Sequence, residues 1–382
     1  MSIRLRPGSP RRGVYVVGWW PVATACLLAL ATSIFYGLAL GRQPIGREEA
    51  RVLSYAQRPV QGVPPVVIDT GEGWLQPLHV YATTLAHAVR PGFFAGRWAS
   101  VMVAAINAGL VFMVGWRVFG GYLAALAAAV VLVLTPAHMT YGRQGVEAIY
   151  IVPFVLLWLY ALAGFIEKDR PSQIALASAA LGAGVYATTA APLTMAFLWL
   201  TMIVVLLVMG RRKLSTLAIA AVSFMVMLAP LAMWFYFHPQ TYIETYGSWA
   251  IASAHIRNPF DGLSAAMDPK AVGARAAAYW SLIDPSYLLF SSAAGRAPLH
   301  WLVVPLVAIG IYRCLKKPRA MAVIVLAGAL VAPVAGARFG QPHYIANALA
   351  LLPFVALLAG YGVEQIRELI VPPPPPPPEE EY

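Results

Sequence analysis

Uncharged apolar runs close to the ~20 residues that a bilayer core of about 30 Å requires of a helix recur along the chain. They are Val14–Leu40, Trp98–Trp116, Val118–Thr135, Ala148–Ile166, Leu214–Phe237, Leu299–Tyr312, Ala320–Ala337 and Tyr344–Val363. Pro171–Gly210 also carries no charge and is too long for one span. Its small, polar stretch Tyr186–Pro192 predicts a turn, so it counts as two helices and the expected total is ten. The runs are continuous rather than alternating, which predicts spanning helices rather than barrel strands.

Composition agrees. Of 382 residues, 60% are hydrophobic and 11% charged, and a mean hydropathy of +0.68 is incompatible with a polar surface all round. Soluble enzymes, coiled coils and disordered chains are excluded. The net charge of +11 reports topology rather than nucleic-acid binding, because no basic cluster exceeds a few residues. Only Cys26 and Cys314 are present, so no disulfide framework exists.

Lys and Arg set the expected orientation. With residues 1–13 cytoplasmic, the inside segments hold Arg4, Arg6, Arg11 and Arg12, then Arg117, Lys168 and Arg170, Arg211, Arg212 and Lys213, then Arg313, Lys316, Lys317 and Arg319, and finally Arg367. The short outer turns hold only Arg143 and Arg338. Both termini then face the cytoplasm of a bacterial-type inner membrane. A cleaved signal peptide fits poorly, since the apolar run is too long and contains Trp19, Trp20 and Pro21.

The expected organisation is a first helix at 14–40, an outer loop at 41–97, six helices within 98–237, a second outer loop at 238–298, three helices within 299–363 and a tail at 364–382. Both loops far exceed the ~15 residues of an ordinary connector, so chemistry is expected there. In the first, Pro77–Ala88 is uncharged and half apolar, as suits a helix lying along the interface. In the second, Tyr279–Phe290 has the aromatic richness of headgroup depth. The tail has seven prolines and then Glu379, Glu380, Glu381 and Tyr382, a polyproline II linker or a docking peptide for a protein partner.

Carboxylates near a membrane face protein, water or an ion, because leaving them in lipid is costly. Glu48 and Glu49 follow the first span closely and Glu147 sits where the fourth begins. Pairing with Arg47, Arg51 or Arg143 is one reading of them and a functional site is the other.

A resemblance adds to this. Glu48-Glu49-Ala50, then Gln76-Pro77-Leu78 and Tyr81, then Gly96-Arg97-Trp98-Ala99-Ser100 resemble the start of the lipid-phosphate-sugar glycosyltransferases. Trp116–Gly121, Leu134–His138, Tyr141–Glu147 and Asp284–Phe290 continue the likeness in order. That superfamily includes protein O-mannosyltransferases and aminoarabinose transferases and has the membrane fold called GT-C. The resemblance implies an all-α polytopic membrane fold with Glu48 as catalytic carboxylate beside Glu49, and Arg97 and Glu147 in support. The family pair is usually Asp-Glu, so Glu48 is one methylene longer, and Gln76 stands where proline is usual.

Chemical reasoning fills in the remainder. Transfer from a polyprenyl-phosphate sugar leaves a phosphate, for which Arg offers a bidentate fork; Arg143, Arg257, Arg296 and Arg338 are the outer candidates. A carboxylate must take the acceptor's proton, and Glu48 is the choice. A divalent cation, Mg or Mn, could bridge Glu48 and phosphate, with His79 or His343 as auxiliaries. Partners are then the lipid donor, membrane lipid and an outer-face acceptor. The alternative is an inactive subunit that keeps the fold and anchors a complex; a transporter is disfavoured by the lack of charges inside the spans.

The orientation is testable by labelling. Cysteines placed at Gly62 and Asp268 should react with an impermeant reagent from outside, and one at Arg212 should not. The opposite pattern reverses the topology.

Overall fold

The computed structural model describes residues 19–38, 40–42, 44–57, 65–69, 74–210, 213–239, 241, 269–290, 297–338 and 343–371. They form an all-helical bundle: α1 (Trp20–Gly37), α2 (Arg47–Ala56), α3 (Pro77–Val89), α4 (Ala95–Phe119), α5 (Tyr122–Leu134), α6 (Pro136–Tyr141), α7 (Val152–Lys168), α8 (Pro171–Gly184), α9 (Ala191–Val208), α10 (Leu214–Phe237), α11 (Pro269–Ile283), α12 (Pro285–Phe290), α13 (Val303–Lys316), α14 (Ala320–Val331), α15 (Val334–Arg338) and α16 (Leu352–Ile370). Turns of 3-10 helix, Glu147–Ile151 and Ile345–Leu351, lead into α7 and α16. A two-residue antiparallel ladder, Ile68 on Leu75 and Asp69 on Trp74, closes the first loop.

Each expected span is helical over most of its described residues, but they are not equal. Seven helical stretches are long and apolar enough to cross a membrane. Helices α5, α8 and α13 have 13, 14 and 14 residues. At 1.5 Å per residue these reach only about 20 Å, so a count of ten full spans is not reached. The protein is a multi-pass membrane protein with a core of seven long helices among the described residues. Pro77–Val89 is a helix, as its composition predicts, and the segment Tyr279–Phe290 is divided between α11 and α12. The proline-rich tail and the stretch between α10 and α11 lie largely outside the described residues.

Proline explains many of the helix starts. Pro21, Pro77, Pro136, Pro153, Pro171, Pro192 and Pro353 each sit in a first turn, where the missing N–H has no intrahelical partner to lose. Pro230 lies inside α10, the helix that shows most of its apolar surface, including Val222, Met225, Val226 and Met233. At the centre, α4 packs against α1, α3, α5 and α7, and α16 packs against α5 and α13. The densest core residues, Phe112, Trp158, Leu159, Leu162 and Phe354, lie on α4, α7 and α16.

Backbone approaches backbone where α13 crosses α16. A Cβ on Gly310 would strike the carbonyl oxygen of Leu358, and one on Gly362 would strike that of Leu306. Neither oxygen can rotate away, so small residues there set the helix separation. Gly310→Val and Gly362→Val should each lower the melting temperature in detergent, with an overpacking cost of about 1–3 kcal/mol. Gly273→Ala, on α11 with nothing within 4 Å, should be neutral or gain up to about 1 kcal/mol. Equal melting of all three variants would remove the crossing from the argument.

Candidate active site

The two acids that follow α1 point to different surroundings. They are neighbours at the start of α2, about 100° apart around the helix, so one can face protein while the other faces open space. Glu49 faces protein. Its carboxylate takes Arg97 Nε at 2.9 Å and Arg97 Nη2 at 2.7 Å, a two-pronged ion pair between α2 and the first turn of α4. The backbone N–H of Gly145 donates to it at 2.6 Å and that of Gly46 at 2.9 Å. Burial pushes the Glu49 carboxyl up, but Arg97 first and then the Gly145 and Gly46 amides hold it below the usual carboxylate range.

Arg97 is 3% exposed, and it also binds main chain beyond α1: Nη1 donates to the Leu40 carbonyl at 2.6 Å and Nη2 to that of Pro44 at 2.8 Å. Gly145 lets the two backbones approach closely, because a Cβ there would come within 3.1 Å of the Gly96 carbonyl carbon and 3.2 Å of the Arg97 nitrogen. The Glu49–Arg97 pair thus joins the chain after α1, α2, α4 and the segment that leads to Glu147.

Glu48 accepts no hydrogen bond and joins no ion pair among the described residues. Its side chain is solvent-accessible yet flanked by protein, and burial raises its carboxyl, opposed by Arg51 and reinforced by Glu49. Tyr141 and Tyr344 lie within electrostatic reach of Glu48, and Tyr344 also feels Glu147. Glu147 accepts the Thr189 amide at 2.7 Å, just ahead of α9. Next to Tyr344, His343 adopts left-handed backbone with φ of 58°, a conformation sparsely used by residues with a side chain. Its N–H donates to Ser281 Oγ at 3.2 Å, and its ring lies 4.9 Å from that of Tyr287, whose hydroxyl accepts the Ile345 N–H at 3.1 Å. Asp284 caps α12 by accepting the N–H and hydroxyl of Ser286. Glu147, Tyr141 and Tyr344 therefore all lie within electrostatic reach of Glu48.

The other expected residues are placed as follows. His79, 1% exposed, packs on Tyr150 with ring centroids 5.1 Å apart, and burial pushes its imidazole down to about 4 although Glu49 opposes this. Arg143 forms no ion pair with Glu147 among the described residues: its guanidinium lies over the rings of Phe35 and Tyr36, and Nη2 donates to the Phe35 carbonyl at 3.1 Å. Arg338 ends α15, half-buried. Arg257 and Arg296 lie outside the described residues. Tyr344 and Thr189 carried no sequence signal, while Tyr141 and Tyr287 lay inside motif stretches whose acids drew the attention.

No three His, Cys, Asp or Glu side chains come together as a metal-binding group among the described residues. A Mg-type ion commonly uses one or two carboxylates and completes its shell with phosphate and water; Glu48 and Glu147, which feel each other's charge, are the pair that would supply them.

The ion pair predicts a definite response to mutation and pH. Arg97→Met leaves Glu49 buried without its cation and should cost about 3–5 kcal/mol, with Glu49→Gln costing less. Because the folded Glu49 carboxyl is held below its ordinary 4.5, its contribution is present above that value and is lost as pH falls through the lower, folded one. Thermal stability of wild type should therefore decline below about pH 4.5 more steeply than that of Glu49→Gln. Parallel profiles would show that the pair does not stabilise the fold.

No protein-family profile matches the chain, and no curated protein sequence matches it. Solved structures do. ArnT from Cupriavidus metallidurans, bound to undecaprenyl phosphate, superimposes with a TM-score of 0.57 at 16% identity over 91% of this chain and 60% of that one. The Archaeoglobus fulgidus oligosaccharyltransferase tethered to an acceptor peptide containing the NVT sequon gives 0.52 at 12% identity over 92% of this chain. The chain spans 60% of the first and 50% of the second. At such low identity the likeness is one of backbone path, and it shows that this protein has the GT-C membrane fold its sequence motifs imply.

Proposed function

We propose that this protein is an inverting glycosyltransferase that moves a sugar from a polyprenyl phosphate to an acceptor on the outer face of the membrane, with Glu48 as the base. The observation that carries this reading is the division of the acidic pair: Glu49 is committed to four hydrogen bonds, while Glu48 accepts none among the described residues and lies within electrostatic reach of Glu147, Tyr141 and Tyr344. The fold likeness to ArnT, a protein solved with undecaprenyl phosphate, supports a lipid-phosphate donor.

In the reaction, the acceptor atom bonds to the sugar's anomeric carbon from the face opposite the phosphate. The carbon–oxygen bond to phosphate breaks, its electron pair leaves with the phosphate, and the acceptor's proton passes to the Glu48 carboxylate. Arg143 is the donor-phosphate ligand on this reading, with Arg257, Arg296 and Arg338 as further cations near the outer face. Tyrosines around Glu48 suit a sugar, offering ring faces to its C–H groups and hydroxyls to its O–H groups. Mg or Mn held by Glu48 and Glu147 would neutralise phosphate charge. The orientation follows from Lys and Arg: termini inside, both long loops outside, in an inner membrane.

Glu48→Gln should cut turnover of a polyprenyl-phosphate sugar by roughly 10²–10⁴ while leaving melting behaviour unchanged. Glu48→Asp should retain most activity, since it keeps the carboxylate. Because the Glu48 carboxyl is raised, the base is protonated as pH falls through a value above 4.5, and turnover should drop there. Donor at a hundred times its dissociation constant should stabilise wild type by about 2.7 kcal/mol. Wild-type melting that ignores saturating donor would favour an inactive anchoring subunit.

A further inference from the structure

We propose that Phe35 and Tyr36, at the outer end of α1, are positioning residues that hold the Arg143 guanidinium in one plane for a lipid-linked phosphate. The inference rests on the assignment of Arg143 to the donor phosphate and names what makes that arginine a fixed fork. The two rings are neighbours with centroids 5.8 Å apart, and the Arg143 Cζ lies 5.2 Å from the Phe35 centroid and 5.1 Å from that of Tyr36. At that range each ring face attracts the cation. A hydrogen bond from Nη2 to the Phe35 carbonyl, 3.1 Å, fixes the rotation that ring contact leaves open.

The cradle is itself anchored. Tyr36 is fully buried, and its hydroxyl donates to the Val133 carbonyl at 2.6 Å. That leaves the hydroxyl oxygen to accept from His138 Nδ1, 2.8 Å away, so His138 carries its proton on Nδ1. His138 Nε2 is then an acceptor and faces the Asn107 Nδ2 donor at 3.4 Å. Four helices, α1, α4, α5 and α6, thus converge around one tyrosine, and the last of them leads straight into Arg143. Phe35, in contrast, is 42% exposed, as befits the rim of a site entered from the bilayer.

A rigid guanidinium matters for phosphate because a bidentate contact needs both N–H groups in the plane of two oxygens. Binding of undecaprenyl phosphate to the detergent-purified full chain tests this, followed by turnover with the corresponding sugar-loaded donor. Phe35→Leu, at a position that tolerates a shape change, should weaken lipid binding and raise KM for donor roughly five- to tenfold with kcat little changed. Tyr36→Leu should do the same or more. Tyr36→Phe keeps the ring and should retain most of the affinity, and Arg143→Lys should lose affinity even with both rings in place. A merely structural role for the rings would lower melting temperature and leave KM alone. Wild type that binds the lipid while Phe35→Leu binds it equally well overturns the cradle and leaves the glycosyltransferase reading standing. Wild type that binds no undecaprenyl phosphate overturns both.

Discussion

An arginine removed from water must find acceptors for a planar fan of N–H groups, and Arg97 finds them at three residues between the end of α1 and the first turn of α2. The carboxylate of Glu49 takes two of its contacts and the carbonyls after α1 take the others. Because a buried charge left short of partners is far more costly than a polar group exposed to water, the segments that satisfy Arg97 cannot drift independently. The same carboxylate holds Gly145, so the constraint extends from α4 to the turn that presents Glu147.

The end of the bundle that carries α2 is organised around that requirement. Once Glu49 is turned inward, helical geometry turns Glu48 roughly a quarter of the way round α2, where its charge reaches Tyr141 and Tyr344. An acid next to a committed acid in a partly enclosed space has a weakened preference for the charged state. This is the property wanted of a group that must take up a proton during turnover. The environment, rather than residue type, separates a structural glutamate from a candidate base one position away.

The membrane-embedded part solves a different problem. With few polar groups to direct packing, close contact between helices depends on small residues, and the α13–α16 crossing is set by glycines facing carbonyls. Three helices are too short to span alone and pack against longer ones, leaving α10 and α1 to present most apolar surface outward. The resulting frame resembles that of much longer GT-C proteins, of which this chain spans 60% or less.

Hydrophobic runs of helical length, prolines at their starts and the order of motifs determined the membrane class, most helix positions and the GT-C architecture from sequence alone. Such features are local, because burial in lipid and the cost of an unpaired backbone group act residue by residue. Sequence could also mark Glu48, Glu49, Arg97, Arg143 and Glu147 as chemistry-bearing, but not which partner each would find. Arg143 stands four residues before Glu147 and looks like its ion-pair partner, yet it lies on the rings of Phe35 and Tyr36, more than a hundred residues away in the chain. His79 looks like a candidate ligand, and only the fold shows that it is buried against Tyr150 within reach of the Glu49 charge. Likewise Glu147 meets the amide of Thr189 and Glu49 the guanidinium of Arg97, contacts that depend on how helices are brought together. Those pairings are fixed by desolvation at the helix ends, a property of the assembled bundle that no stretch of sequence carries.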